Sequence, residues 1–115
     1  MKIRTCFVSN SSTASFCVKN ISDEDRSMMD LAIENMRFLD EYNRERPPEY
    51  QISQEEYLES IDNTYSFTLP AHTETSVTVG NEISTAGMII EYGFSVYFRQ
   101  SFSRSFQWVL LGSHH

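Results

Sequence analysis

Apolar and polar positions along this chain change their period twice. The first eighteen residues hold two β-type apolar segments, Ile3–Val8 and Ser15–Val18, on either side of a polar tip, Ser9-Asn10-Ser11-Ser12-Thr13. Folding the chain about Ser11 and Ser12 makes a hairpin in which Phe7 faces Phe16 and Cys6 faces Cys17. Facing aromatics are a favourable cross-strand pair, and Asn and Ser suit a turn because their side chains bond nearby backbone. The tip lacks Gly and Pro, so a loop of four or five residues is expected rather than a two-residue turn.

From Ser22 the period becomes helical. Met28, Met29, Ala32, Ile33, Met36 and Leu39 recur at the spacing of one amphipathic helix, from about Asp23 to about Asn43. Ser22 is the expected N-cap with Asp25 three residues on, and Asp23 and Glu24 suit the positive end of the dipole. The methionines read as core, since Met fills irregular gaps. Pro47-Pro48 ends that helix. Ser53 with Glu56 starts another, carrying Tyr57, Leu58 and Ile61 on one face and stopping near Asn63.

From Thr64 the period becomes two. Tyr65, Phe67 and Leu69 alternate with polar residues, Pro70-Ala71-His72 is a turn, and Thr75, Val77 and Val79 alternate again before Gly80-Asn81. Met88, Ile90, Tyr92, Phe94, Val96 and Phe98 then give a long period-two run, which predicts a strand. Gln100–Arg104 is a polar loop, and Phe106, Trp108 and Leu110 continue the alternation. Strands with one dry face imply an antiparallel sheet that needs a cover. The expected fold is α+β, an antiparallel sheet of four to six strands with two helices packed on one face. One domain is expected over 1–111, with a hairpin at 1–20, an acidic helical layer at 22–62 and the sheet at 64–111. Gly112-Ser113-His114-His115 resembles the remnant of a purification tag.

The opening also carries a resemblance. Lys2-Ile3-Arg4-Thr5-Cys6-Phe7-Val8-Ser9-Asn10-Ser11-Ser12-Thr13-Ala14-Ser15-Phe16 is similar to an N-terminal signature of many small phage and prophage proteins. Their openings run roughly Met-Lys-x-Arg-x-Gly-Phe-Val-Ser-Asn-Ser-Ser-Ser-Ser-Ser-Phe. Cys6 stands in place of the usual Gly, and Thr13-Ala14 interrupt the serine run. The resemblance implies a viral origin and, with it, the cytoplasm of an infected bacterium; it implies no activity.

Charge sharpens the picture. The chain is −7 overall, but residues 22–62 hold thirteen acids against four bases, a net −9, while the remainder is +2. Such a balance argues against direct nucleic-acid binding, which uses clustered Lys and Arg. No run approaches the ~18 apolar residues of a membrane span, and no apolar h-region suggests a signal peptide.

Catalytic motifs are absent. Cys6 or Cys17 with His72 is the native Cys/His combination, and no local signature supports it. His72 with Glu74 lacks the further ligands of a metal site. No phosphate loop is present, no cofactor is expected, and the two cysteines are expected to be free thiols in a cytosolic protein. The chain therefore reads as a non-enzymatic binding protein of phage type, inhibiting a host or defence protein that handles nucleic acid. Its acidic face would dock on a basic surface of that host protein by imitating phosphate charge. Asp30, Glu34, Glu41, Glu55 and Glu59 are the candidate contacts. The alternatives are a recognition or modification site at the hairpin tip, Ser9, Asn10, Ser11 and Ser12, and a structural, virion-associated role. Self-association is left open.

Overall fold

The computed structural model describes residues 13–114 of the chain. In chain order the elements are β1 (Thr13–Asn20), β2 (Arg26–Ser27), α1 (Met28–Glu34), α2 (Arg37–Arg44), α3 (Gln54–Thr64), β3 (Thr68–Leu69), β4 (Glu74–Val79), α4 (Thr85–Val96) and β5 (Phe106–His114). The fold is α+β. Strands β4, β1 and β5 form an antiparallel sheet in that order, and β2 pairs with β3 in a second small one. No helix among the described residues is long and apolar enough to cross a membrane.

The sheet buries one face. Along β1, Ala14, Phe16, Val18 and Asn20 point inward and alternate with half-buried Thr13, Ser15, Cys17 and Lys19, the two-residue period of a strand. Val77, Val79, Phe106 and Trp108 complete the dry face. Helix α4 lies across it. Phe94 stacks on Trp108 with ring centroids 4.8 Å apart and meets Phe16 at 4.6 Å. Helices α2 and α3 pack on α4, and Phe38 of α2 also reaches the sheet, meeting Trp108 at 5.7 Å. Sheet and helices share one core. Asn20, buried in the dry row, keeps its polar atoms satisfied. It donates to Glu24 O and Leu69 O, each at 2.8 Å, and accepts from Ser22 N and Oγ at 2.9 and 2.7 Å.

Several sequence expectations are corrected by these contacts. The period-two run Met88–Phe98 is not a strand; Thr85–Val96 is helix α4. A helical period is present in the same segment: Ala86, Ile89, Ile90, Gly93 and Phe94 fall on one side of α4 and are buried, while Ser95 on the other is exposed. A face of that width buries against the core. The small residues decide the matter. Alternation assigns Gly87 and Gly93 no contact, yet both are buried. A Cβ on Gly93 would collide with the Phe38 ring, and one on Gly87 would stand 2.8 Å from Gly80 O. Gly87 lets the helix meet the Gly80 backbone, and Gly93 leaves room for the Phe38 ring. Ser84 caps it by accepting from Gly87 N at 3.0 Å.

The expected single helix over 23–43 is two. Ser-x-x-Asp occurs twice, at Ser22–Asp25 and Ser27–Asp30, and the second is the capping box. Ser22 is drawn instead into the bonds of Asn20 and Arg26. Asn35 breaks the helix. Its Nδ2 donates back to Leu31 O at 3.0 Å and across to Ser103 Oγ at 3.1 Å, the backbone-competing chemistry that makes Asn a poor interior residue. Ser53 caps α3 as expected, accepting from Glu56 N at 3.1 Å. Helix α3 runs on to Thr64, so the alternation at Tyr65–Leu69 yields only the short β3. Met28 is wholly buried, and Met29, Met36 and Met88 pack against the core.

Of the expected N-terminal hairpin, the first arm with Phe7 and Cys6, and the tip Ser9-Asn10-Ser11-Ser12, lie outside the described residues. The second arm is β1, and both its edges are taken. Phe16 sits opposite Val77 and Leu110, and Cys17 opposite Ser76 and Val109. The places expected for Phe7 and Cys6 are thus held by β4 and β5. Gly112–His114 continue β5 opposite Ser15–Thr13.

Candidate functional site

The five acids expected to form one binding face are divided by the fold. Asp30 is exposed, but its carboxylate closes the α1 capping box, accepting from Ser27 N at 2.9 Å. Glu41 is largely covered and ion-pairs with Arg44 at 2.9 Å. Glu34, at the end of α1, fastens the segment that leads into β5. It accepts from Ser103 Oγ and, at 2.8 Å, from Ser105 N. Burial works to raise the Glu34 pKa, but the hydrogen bonds from Ser103 and Ser105, with Arg26 nearby, outweigh it and hold the carboxyl below its ordinary range. Glu34, Asn35, Arg37, Phe102, Ser103 and Arg104 line an open cleft of about 570 Å³ at this clasp.

The clasp gives a testable pH dependence. A carboxyl with a depressed folded pKa stabilises the fold at neutral pH, and that contribution is lost as pH falls through its folded pKa. Wild type should therefore lose more stability than Glu34→Gln between about pH 5 and pH 3 in denaturant titrations. Glu34→Ala, which strands the Ser105 amide, should cost about 1–3 kcal/mol at neutral pH. An unchanged midpoint for Glu34→Ala would refute the anchoring role.

Glu55 and Glu59 behave differently. Both are exposed on α3, where Tyr57 and Ile61 form the buried face. At 3.6 residues per turn, Glu55, Glu59 and Asp62 fall on the opposite side in one stripe, spanning about 10 Å along the axis. Glu56 flanks it, so the eleven residues of α3 carry four acids and no base. Among the described residues none of these four carboxylates forms an ion pair. Like charges at i, i+3 and i, i+4 weaken a helix slightly, so the stripe is held against its own repulsion. The helix is kept in place from its other side. Ala86 N donates to Ser60 Oγ at 2.9 Å, which ties α3 to the start of α4.

Sequence reasoning included Glu55 and Glu59 but passed over Asp62, although their i, i+4, i+7 spacing is legible in the chain. It also missed the Arg46 corner. Arg46 lies 3.6 Å over the Tyr42 ring and donates to Tyr42 O at 2.8 Å. Beside it Tyr92 donates to Glu45 at 2.7 Å, joining α4 to the end of α2. Burial, then that carboxylate, pushes the Tyr92 hydroxyl up to about 12.

The groups considered for chemistry are drawn to separate partners. Cys17 Sγ lies 3.6 Å from Glu74 Oε1. Burial first, and the Glu74 charge next, raise its pKa, the reverse of what a reactive thiolate needs. His72, at φ 59° in its turn, contacts Asp23 at 2.7 Å. No group of three His, Cys, Asp or Glu side chains able to hold a metal occurs among the described residues. No family model, no curated protein and no solved structure matches this chain.

Proposed function

We propose that this chain is a phage-type accessory protein that acts by binding, and that α3 is its contact. The Glu55–Glu59–Asp62 stripe docks on a basic surface of a host or defence protein in the bacterial cytoplasm. Such a surface serves nucleic acid, and the stripe inhibits by taking the place of phosphates. The observation that carries this reading is a row of exposed carboxylates on one helix with no cation of its own. Asp30, Glu34 and Glu41 are spent within the fold and stand outside the contact. The resemblance of the first sixteen residues to a phage signature supports the setting.

Long-range attraction speeds encounter and is screened by salt. Binding should thus weaken steeply as salt rises, through slower association more than faster dissociation. The test is capture of the partner from bacterial lysate, followed by competition with duplex DNA. Reversing Glu55, Glu59 and Asp62 to Lys should leave the fold intact, since exposed substitutions usually change stability by under ~0.5 kcal/mol each. The triple variant should bind at least about tenfold more weakly, about 1.4 kcal/mol, and no longer displace DNA. Normal binding by that variant, with loss on changing Ser9, Ser11 and Ser12 to Ala, would move the site to the N-terminal serines and sink the reading.

A further inference from the structure

Among the described residues the sheet has two edges, β4 and β5, and they are built differently. β4 carries Glu74 and turns Val77 and Val79 into the core. β5 contains no Asp, Glu, Lys or Arg, and it leaves Val109, Leu110 and Leu111 exposed by 61%, 55% and 58%. Unpaired backbone flanked by apolar side chains is a template for another strand, and edges are normally blunted by charge, Pro or a cover. The cover here is short. Trp108 N donates away from β1 to Ser101 O at 3.0 Å, and Phe102 bridges Gln107. Outward directions alternate along the regular part of the ladder, which ends at Leu110, where the register shifts past Leu111, so Leu110 presents its N–H and C=O on the same edge as Trp108. No other segment among the described residues bonds to them.

We propose that this edge pairs with a second copy of the chain, β5 against β5 about a two-fold axis at Leu110, giving a continuous six-stranded sheet. Charge favours that occupant. Every acid of the chain lies at or before Glu91, so residues 92–115 hold none. Two copies of net −7 can meet here without setting carboxylate against carboxylate, whereas contact through the helical layer would do so. The arrangement is self-complementary: Leu110 faces Leu110, and Val109 faces Leu111, as an isologous contact requires. The strip is small beside a standard interface of roughly 1,600 Å², so the dimer is weak and concentration-dependent. Because like-charged copies repel, added salt strengthens it, opposite in sign to the contact proposed for α3.

Sedimentation velocity on the full chain, from micromolar to millimolar concentration and at low and high salt, tests the proposal. A monomer–dimer equilibrium that tightens with salt is expected. Leu110→Pro removes the outward N–H without touching the β1 ladder, a place where an edge strand tolerates Pro; Leu110→Lys puts charge at the axis. Each should weaken the dimer at least roughly tenfold with an unchanged circular dichroism spectrum, while Ser76→Lys on the opposite edge should not. A monomer at every concentration overturns the proposal. In that case a protected Leu110 amide would assign the edge to another segment of the same chain, and a freely exchanging one would leave it bare. A dimer indifferent to both Leu110 variants overturns it equally.

Discussion

Trp108→Ala should cost about 3–5 kcal/mol, the usual range for deleting a buried large aromatic, and so a large part of the ~5–15 kcal/mol that holds such a domain. The indole is buried where sheet and helices meet. It stacks on Phe94 at 4.8 Å and receives the edge of Phe38 at 5.7 Å. Its removal would open a cavity under α4 and loosen the helix from the sheet. Trp108→Phe should cost much less. It keeps an aromatic face against Phe94, and it removes Nε1, which is buried and meets no hydrogen-bond partner among the described residues; deleting an unsatisfied donor recovers part of the lost packing. This is the only Trp in the chain, so the midpoints should be followed by circular dichroism in urea. If the two variants were equally destabilised, the indole N–H would have to be satisfied in solution.

Gly93→Ala should also destabilise, although Ala is the better helix former by about 1 kcal/mol. The added methyl would lie within 2.6 Å of three atoms of the Phe38 ring, and forcing volume into a packed core costs about 1–3 kcal/mol. Phe38 cannot retreat easily, being wholly buried against Phe94 and Trp108. Overpacking should therefore exceed the gain in propensity, and Gly93→Val should be worse. Pairing Gly93→Ala with Phe38→Leu should recover part of the loss, because the two changes share one contact and will not add. A stabilised Gly93→Ala protein would mean that α4 does not approach Phe38 this closely.

The same contact explains why α4 was not legible as a helix. Position by position, Met88–Phe98 fits a strand, and nothing local assigns Gly93 a contact. Only the Phe38 ring, more than fifty residues earlier in the chain, makes a glycine necessary there. Equivalent logic applies to the acids. Asp30, Glu34, Glu41, Glu55 and Glu59 are chemically alike in the chain. They differ in the fold because Ser27, Ser103 with Ser105, and Arg44 take up the first three, while no cation among the described residues pairs with the α3 face.

What the sequence determined by itself is therefore local or compositional. The α+β class, the Ser53 cap, the stop at Pro47-Pro48, strand β4, the alternation of Phe106 and Trp108 and the acidic character of 22–62 depend on neighbours a few residues apart and on net charge. Tertiary structure decided where two local answers were equally good. It chose Ser27 over Ser22 as the cap, because Asn20 engages Ser22. It divided the long helix at Asn35, because Ser103 and Leu31 offer that amide its partners. It made Met88–Phe98 helical, because Ala86, Ile89, Ile90 and Phe94 then share one buried face and the glycines leave room for the Phe38 ring and the Gly80 backbone. And it put β1 in the middle of the sheet, because a strand has two edges and β4 and β5 fill both.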